Sequence, residues 1–108
     1  MVLSVHEKLT VIYRLEPGCL GPTGKDHIED FCQYANKSLR SIDSECVNWA
    51  IIPRYDKSLP ELEYQIQRKK LDKAKAEQFI DVFKKDLDSL EEHMHEQLSL
   101  LIDNFLQR

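Results

Sequence analysis

From Asp72 to Arg108 the chain contains neither glycine nor proline. Ile80, Phe83, Leu87, Leu90, Met94, Leu98, Leu101 and Phe105 recur there at steps of three and four residues, with Phe79 adjoining. That is the period of an amphipathic helix, and Asp72 is a suitable N-cap for it. An unbroken helix of roughly 36 residues, rising ~1.5 Å per residue, would span on the order of 54 Å. A compact domain of this size has a radius of gyration of only ~13 Å. The helix must bend, break, or run past the body and meet a partner. Taken as one rod, it carries more apolar surface than a small sheet covers. The sequence therefore predicts a homodimer, with Leu87, Leu90, Met94, Leu98, Leu101 and Phe105 packed against their equivalents in a second copy. The regular heptad-like steps are too short a run for a long coiled coil.

The chain has 108 residues, which fits a single domain over 1–108 with one modest core. Within it, the sheet and first helix are expected over 8–70 and the long helix over 72–107. The formal net charge of −4 argues against general binding of nucleic acid or of an anionic membrane surface. No apolar run approaches the length needed to span a bilayer. The apolar stretch at the N-terminus is too short for a signal peptide, so a cytoplasmic protein is expected. Cys19, Cys32 and Cys46 are odd in number and widely spaced, a poor disulfide framework without zinc-site pairs. Cys32 and Cys46 fall on apolar-patterned positions and read as buried, reduced thiols.

Leu9, Val11, Tyr13 and Leu15 alternate with Thr10, Ile12 and Arg14, the pattern of a first strand. Pro17-Gly18 stops it. All three glycines lie in the following loop, Gly18-Cys-Leu-Gly-Pro-Thr-Gly24, so backbone geometry matters there. Thr23 and Asp26 resemble a capping box, and a helix should start near Gly24. Ile28, Phe31, Cys32, Ala35 and Leu39 form its apolar stripe. Val47–Ile52, apolar on both faces, reads as a second strand ended by Pro53, and Leu62–Ile66 as a third with one wet face. A long-looped hairpin should join these two.

The expected class is α+β in β-α-β-β-α order: a small three-stranded sheet covered by helices. This resembles a ferredoxin-like order lacking its last strand. There the first strand lies antiparallel beside the third; the alternative sets it parallel beside the second. The resemblance is one of topology and implies no activity.

The glycine loop falls short of a phosphate loop. Gly18 is one residue too far from Gly24-Lys25, and Asp26 stands where Ser or Thr would hold magnesium. A weaker reading stands beside it. Free N–H groups at a helix start favour anions, and Arg54 should emerge at the same sheet edge. Gly24, Lys25 and Arg54 would then hold a small carboxylate or phosphate; the plainer reading is a tight turn. Cys19 with His27 suggests a nucleophile pair, against an ordinary loop cysteine. Arg54-Tyr55-Asp56-Lys57 is either a recognition loop or a solvated connection. His93 and His95 point apart on a helix and cannot share a metal. The basic run Arg68, Lys69, Lys70, Lys73 and Lys75 sits at an unfavourable helix end and suggests an acidic partner, or simply a solvated turn.

No catalytic residues, metal or cofactor are expected. The leading expectation is a non-enzymatic, homo-oligomeric interaction or regulatory module. The alternative is a binding module for a small anionic ligand at the glycine loop.

Overall fold

The computed structural model describes residues 7–107. The N-terminal apolar stretch and Arg108, both used in the sequence reading, lie outside them. The elements are β1 (Leu9–Leu15), α1 (Gly24–Leu39), β2 (Val47–Pro53), β3 (Leu62–Ile66), β4 (Lys69–Leu71), α2 (Lys73–Asp81) and α3 (Leu87–Leu106), with a 3-10 turn at Pro17–Leu20. The α+β class holds, but the sheet has four strands in the order β2-β1-β3-β4.

β1 has hydrogen-bonded neighbours on both sides. It pairs in parallel with β2, Val11 opposite Trp49, and antiparallel with β3, Val11 opposite Tyr64. The two pairings that stood as alternatives in the sequence both occur. The hairpin expected between the second and third strands does not form, because β1 lies between them. The ferredoxin-like order is therefore not the topology. The hairpin is instead β3–β4, closed at Gln67 and Arg68, whose φ values are +52° and +68°. Positive φ at both central residues marks the two-residue turn that matches strand twist. No glycine or asparagine announces it, so β4 is invisible to pattern reading.

Leu9, Val11 and Leu15 on β1 and Val47, Trp49 and Ile51 on β2 share one buried cluster with Ile28, Phe31, Cys32, Ala35 and Leu39 of α1. The alternation of β1 and the stripe of α1 are thus as the sequence has them. Tyr64 of β3 donates its hydroxyl to the buried carboxylate of Glu91 on α3. That bond supplies a donor to a charge that would be costly to bury alone. Cys32 and Cys46 are buried free thiols, and burial pushes the Cys32 thiol up to about 11.

The single C-terminal rod does not exist. The helix breaks between α2 and α3, where Lys84 takes φ +58°. Phe83 and Lys84 close the end of α2 by donating to the carbonyls of Ile80 and Asp81. Asp72 caps α2 through Lys75 N–H, as expected, and Asp86 caps α3 through Ser89 N–H at 3.0 Å. Lys85 in the break pairs with Asp43 and Glu45, fastening the turn to the α1–β2 connection. The longest dimension of the molecule is 41 Å, shorter than the ~54 Å rod would need. Leu87, Leu90, Met94 and Leu98, proposed as a dimer seam, are at most 8% exposed within the single chain. Leu101 and Phe105 are half-buried against the same core. The proposed seam is therefore largely covered within one chain, while Leu100 and Leu106 of α3 stay exposed.

The sheet edges are also guarded. On the outer side of β2, Ile51 N–H donates to Asn36 Oδ1 at 2.7 Å, and Asn36 Nδ2 donates back to the Ile51 carbonyl at 3.0 Å. Val47 N–H donates to the Asp43 carbonyl, and Pro53 has no N–H to offer. β4 at the other edge is three residues long and carries two exposed lysines. These are the usual defences against strand addition. The self-association through an exposed edge that the sequence suggested has no open backbone at Ile51.

Asn36→Ala removes both bonds to Ile51. It is expected to lower stability by about 1–3 kcal/mol, read as a lower urea midpoint with an unchanged slope. An unchanged midpoint would mean that water replaces the amide at no cost. A second expectation concerns alkaline pH. Burial, then the Glu61 charge, raises Tyr13 from its ordinary 10.0 to about 12. The folded state thus holds this proton more tightly than the unfolded chain, so stability falls as pH rises through that window. Tyr13→Phe should show a shallower fall over the same range; an equal slope would assign it to other groups.

Candidate functional site

Because β1 and β2 run parallel, their C-terminal ends lie at the same end of the sheet. The chain leaves β1 through the 3-10 turn into α1. It leaves β2 through residues 54–61, which pass the end of β1 to reach β3 on its far side. The two connections face each other across a cleft of about 790 Å³. Gly24 and Lys25 line it from α1, and Arg54, Tyr55 and Lys57 from the second connection, together with Glu16. The three residues proposed from sequence, Gly24, Lys25 and Arg54, therefore border one cleft.

The glycines have distinct reasons for being there. A Cβ on Gly24 would lie 1.8 Å from the Pro17 carbonyl oxygen, so only glycine lets α1 start against the 3-10 turn. Gly21 has φ +90°, which L side chains rarely adopt. Gly18 has open space where a Cβ would go. The expected capping box is absent: Thr23 makes no side-chain bond to the helix. Gly24 and Asp26 N–H donate instead to the carbonyls of Gly21 and Thr23. Two helix-start donors are thus spent on backbone, and Gly24 shapes the cleft.

The cations differ in how committed they are. Arg54 Nη1 lies 3.1 Å from Glu16 Oε1, and Nη2 donates to the carbonyls of Lys57 and Leu59. Its side chain is 20% exposed, and Nε is buried with no hydrogen-bond partner among the described residues. Arg54 is mainly the clasp that shapes its own connection. Lys57 Nζ stands 3.9 Å from the second oxygen of Glu16, on a side chain that is 79% exposed. An ion pair so long and so exposed contributes little. Lys25 is exposed and makes no ion pair among the described residues. Lys25 and Lys57 are the charges available to a ligand.

The connection itself is well ordered by hydrogen bonds. Asp56 accepts from Ser58 N–H and Oγ, and those bonds, the hydroxyl first, hold its carboxyl below the usual range. Tyr55 donates its hydroxyl to Glu29 Oε1 at 3.1 Å, which ties the connection to α1. On the buried side, Arg14 Nη1 donates to the Pro60 carbonyl at 2.8 Å, while Nη2 pairs with Glu63 at 3.1 Å. Tyr55 and Lys57 were within the polar cluster noted in the sequence but not among its ligand residues. Only the fold brings them opposite Lys25.

The remaining candidates part company. Cys19 is exposed, but the His27 ring packs against Phe105 with centroids 6.4 Å apart. Both His27 and Phe105 border a smaller hollow of about 360 Å³. His95 packs edge-on to Tyr13 at 5.0 Å. No group of three metal-ligating side chains occurs among the described residues. Lys73, the odd cation at the start of α2, meets Asp88 of α3 at 2.9 Å, so its acidic partner lies within the same chain.

Gly24→Ala should displace the 3-10 turn and cost about 1–3 kcal/mol, the range for overpacking. Gly18→Ala should stay within a few tenths of a kcal/mol of the parent, since nothing opposes its methyl. Thermal or urea unfolding of the two variants checks this. Equal effects would mean that the turn yields freely. Comparison with known proteins gives no family model, no curated protein and no solved structure that matches this chain.

Proposed function

We propose that this chain is a non-enzymatic binding module for a small anionic ligand, held in the cleft beyond the C-terminal ends of β1 and β2. One observation carries the reading. In a chain with a net charge of −4, Lys25, Arg54 and Lys57 border a single cleft that holds one carboxylate, Glu16. Low-dielectric walls lined by one sign of charge focus the field and concentrate counter-ions. The cleft volume falls within the ~300–1,000 Å³ typical of small-molecule sites. It also lies where parallel strands commonly place ligands, which supports the reading by analogy alone.

Each residue has a physical role in it. Gly24 lets α1 approach the 3-10 turn and sets the floor. Arg54 braces the second connection and spends Glu16 in doing so. Lys25 and Lys57 supply exposed ammonium groups from opposite walls. This reading displaces a homo-oligomeric interaction module as first choice, because the C-terminal helix is the 20-residue α3 rather than one rod from Asp72, and Leu87, Leu90, Met94 and Leu98 are covered within the single chain.

The test is a titration of the labelled protein with inorganic phosphate, followed by amide chemical shifts. Saturable shifts are expected around Gly24–Lys25 and Tyr55–Lys57, weakened severalfold in Lys25→Ala and Lys57→Ala and reduced by added salt. Shifts spread evenly over the lysines of β4 and α2, or unchanged in both variants, would remove the proposal.

A further inference from the structure

Tyr55 is an aromatic ring left 66% exposed on the wall of a charged cleft. Surface aromatics that nothing fixes in place make poor recognition elements, because ordering them on binding costs entropy. This ring is already tethered at its outer end. Its hydroxyl is tethered to Glu29 Oε1 on α1, and Arg54 beside it is clamped to Glu16 and to the carbonyls of Lys57 and Leu59. The ring therefore stands on a braced segment with much of its surface bare.

Charge and size narrow what fits beside it. Three cations and one carboxylate border the cleft, an excess of two positive charges. A phosphate monoester carries about −1.5 to −2 at neutral pH and balances that excess, whereas a single carboxylate does not. The cleft of about 790 Å³ is also far larger than a bare anion fills; a water occupies only ~30 Å³ of liquid volume. The remainder lies against a fixed π-surface, on which a planar ring can stack irrespective of its hydrogen-bond pattern.

Resting on the anion-binding reading, we propose that the ligand is a phosphate monoester bearing a planar aromatic ring, of the size of a nucleoside monophosphate. Lys25 and Lys57 hold the phosphate, and the ring stacks on Tyr55. No bond is made or broken, and Cys19 takes no part.

Calorimetric titration of the full chain with adenosine monophosphate, ribose 5-phosphate and adenosine separates the contributions. Adenosine monophosphate should bind about tenfold tighter than ribose 5-phosphate, the order expected for one base stacked on one aromatic ring. Adenosine should bind more weakly than either phosphate compound. Tyr55→Ala should erase the tenfold difference between the two phosphates, and Tyr55→Phe, which keeps the stacking face but loses the tether to Glu29, should retain part of it. Because Tyr55 is exposed, neither variant threatens the core. Equal affinity for the two phosphates, or a preference that survives Tyr55→Ala, overturns the aromatic assignment and leaves the anion site standing. Adenosine binding as tightly as its monophosphate, or no binding of either phosphate, overturns both.

Discussion

The structure depends on one constraint, that β1 is saturated on both sides. With β2 parallel on one flank and β3 antiparallel on the other, the connection between β2 and β3 has to cross the end of β1. That crossing puts residues 54–61 opposite the glycine turn and creates the cleft. The crossing segment bonds to β1 backbone only at its ends, through Arg54 N–H to the Leu15 carbonyl and Arg14 N–H to the Glu61 carbonyl, and two arginine side chains hold what lies between. Arg14 donates to the Pro60 carbonyl from beneath, and Arg54 to the carbonyls of Lys57 and Leu59. Each guanidinium also has a carboxylate, Glu63 for Arg14 and Glu16 for Arg54. The planar fork of arginine suits this double duty, which a lysine would not perform.

The second constraint is the fold-back of the C-terminal third. A straight rod would leave its apolar seam exposed; the break at Lys84 turns α3 so that Leu87, Leu90, Met94 and Leu98 close the core. Lys85 holds the turn through Asp43 and Glu45, and this pairing, hydrogen bonding to Glu45 first, raises its pKa above the ordinary lysine value. Glu91 is then brought to Tyr64, which satisfies a buried carboxylate with a buried phenol. Burial, followed by that hydrogen bond, raises the Tyr64 pKa above its ordinary value. Such a pair contributes little net energy but penalises any packing of α3 that separates its members. The part of the seam formed by Leu87, Leu90, Met94 and Leu98 is covered from within, and Leu100 and Leu106 remain exposed.

Two sets of residues divide the same loops between them. Gly24, Gly21 and Arg54 are committed to backbone geometry, while Lys25, Lys57 and the face of Tyr55 are left to solvent. At the glycine turn, Gly24 and Asp26 have spent their N–H groups on neighbouring carbonyls.

The sequence by itself determined the local elements whose signal lies within one turn or one pleat. Alternation in Leu9–Leu15, the stripe of Ile28, Phe31, Cys32, Ala35 and Leu39, and the cap at Asp72 are short-range patterns fixed by side-chain period and by unsatisfied N–H groups. The break between α2 and α3 has a local signal: Lys84-Lys85 followed by Asp86 and Asp88 is a helix end followed by a helix start. The turn at Gln67-Arg68 left none, because tertiary packing forces positive φ on residues that do not favour it. Only the tertiary structure decided which strands became neighbours, which edge Asn36 sealed, and that Tyr55 and Lys57 would face Lys25. Those outcomes depend on contacts between residues far apart in the chain, and no local periodicity records which distant partner a buried face will choose.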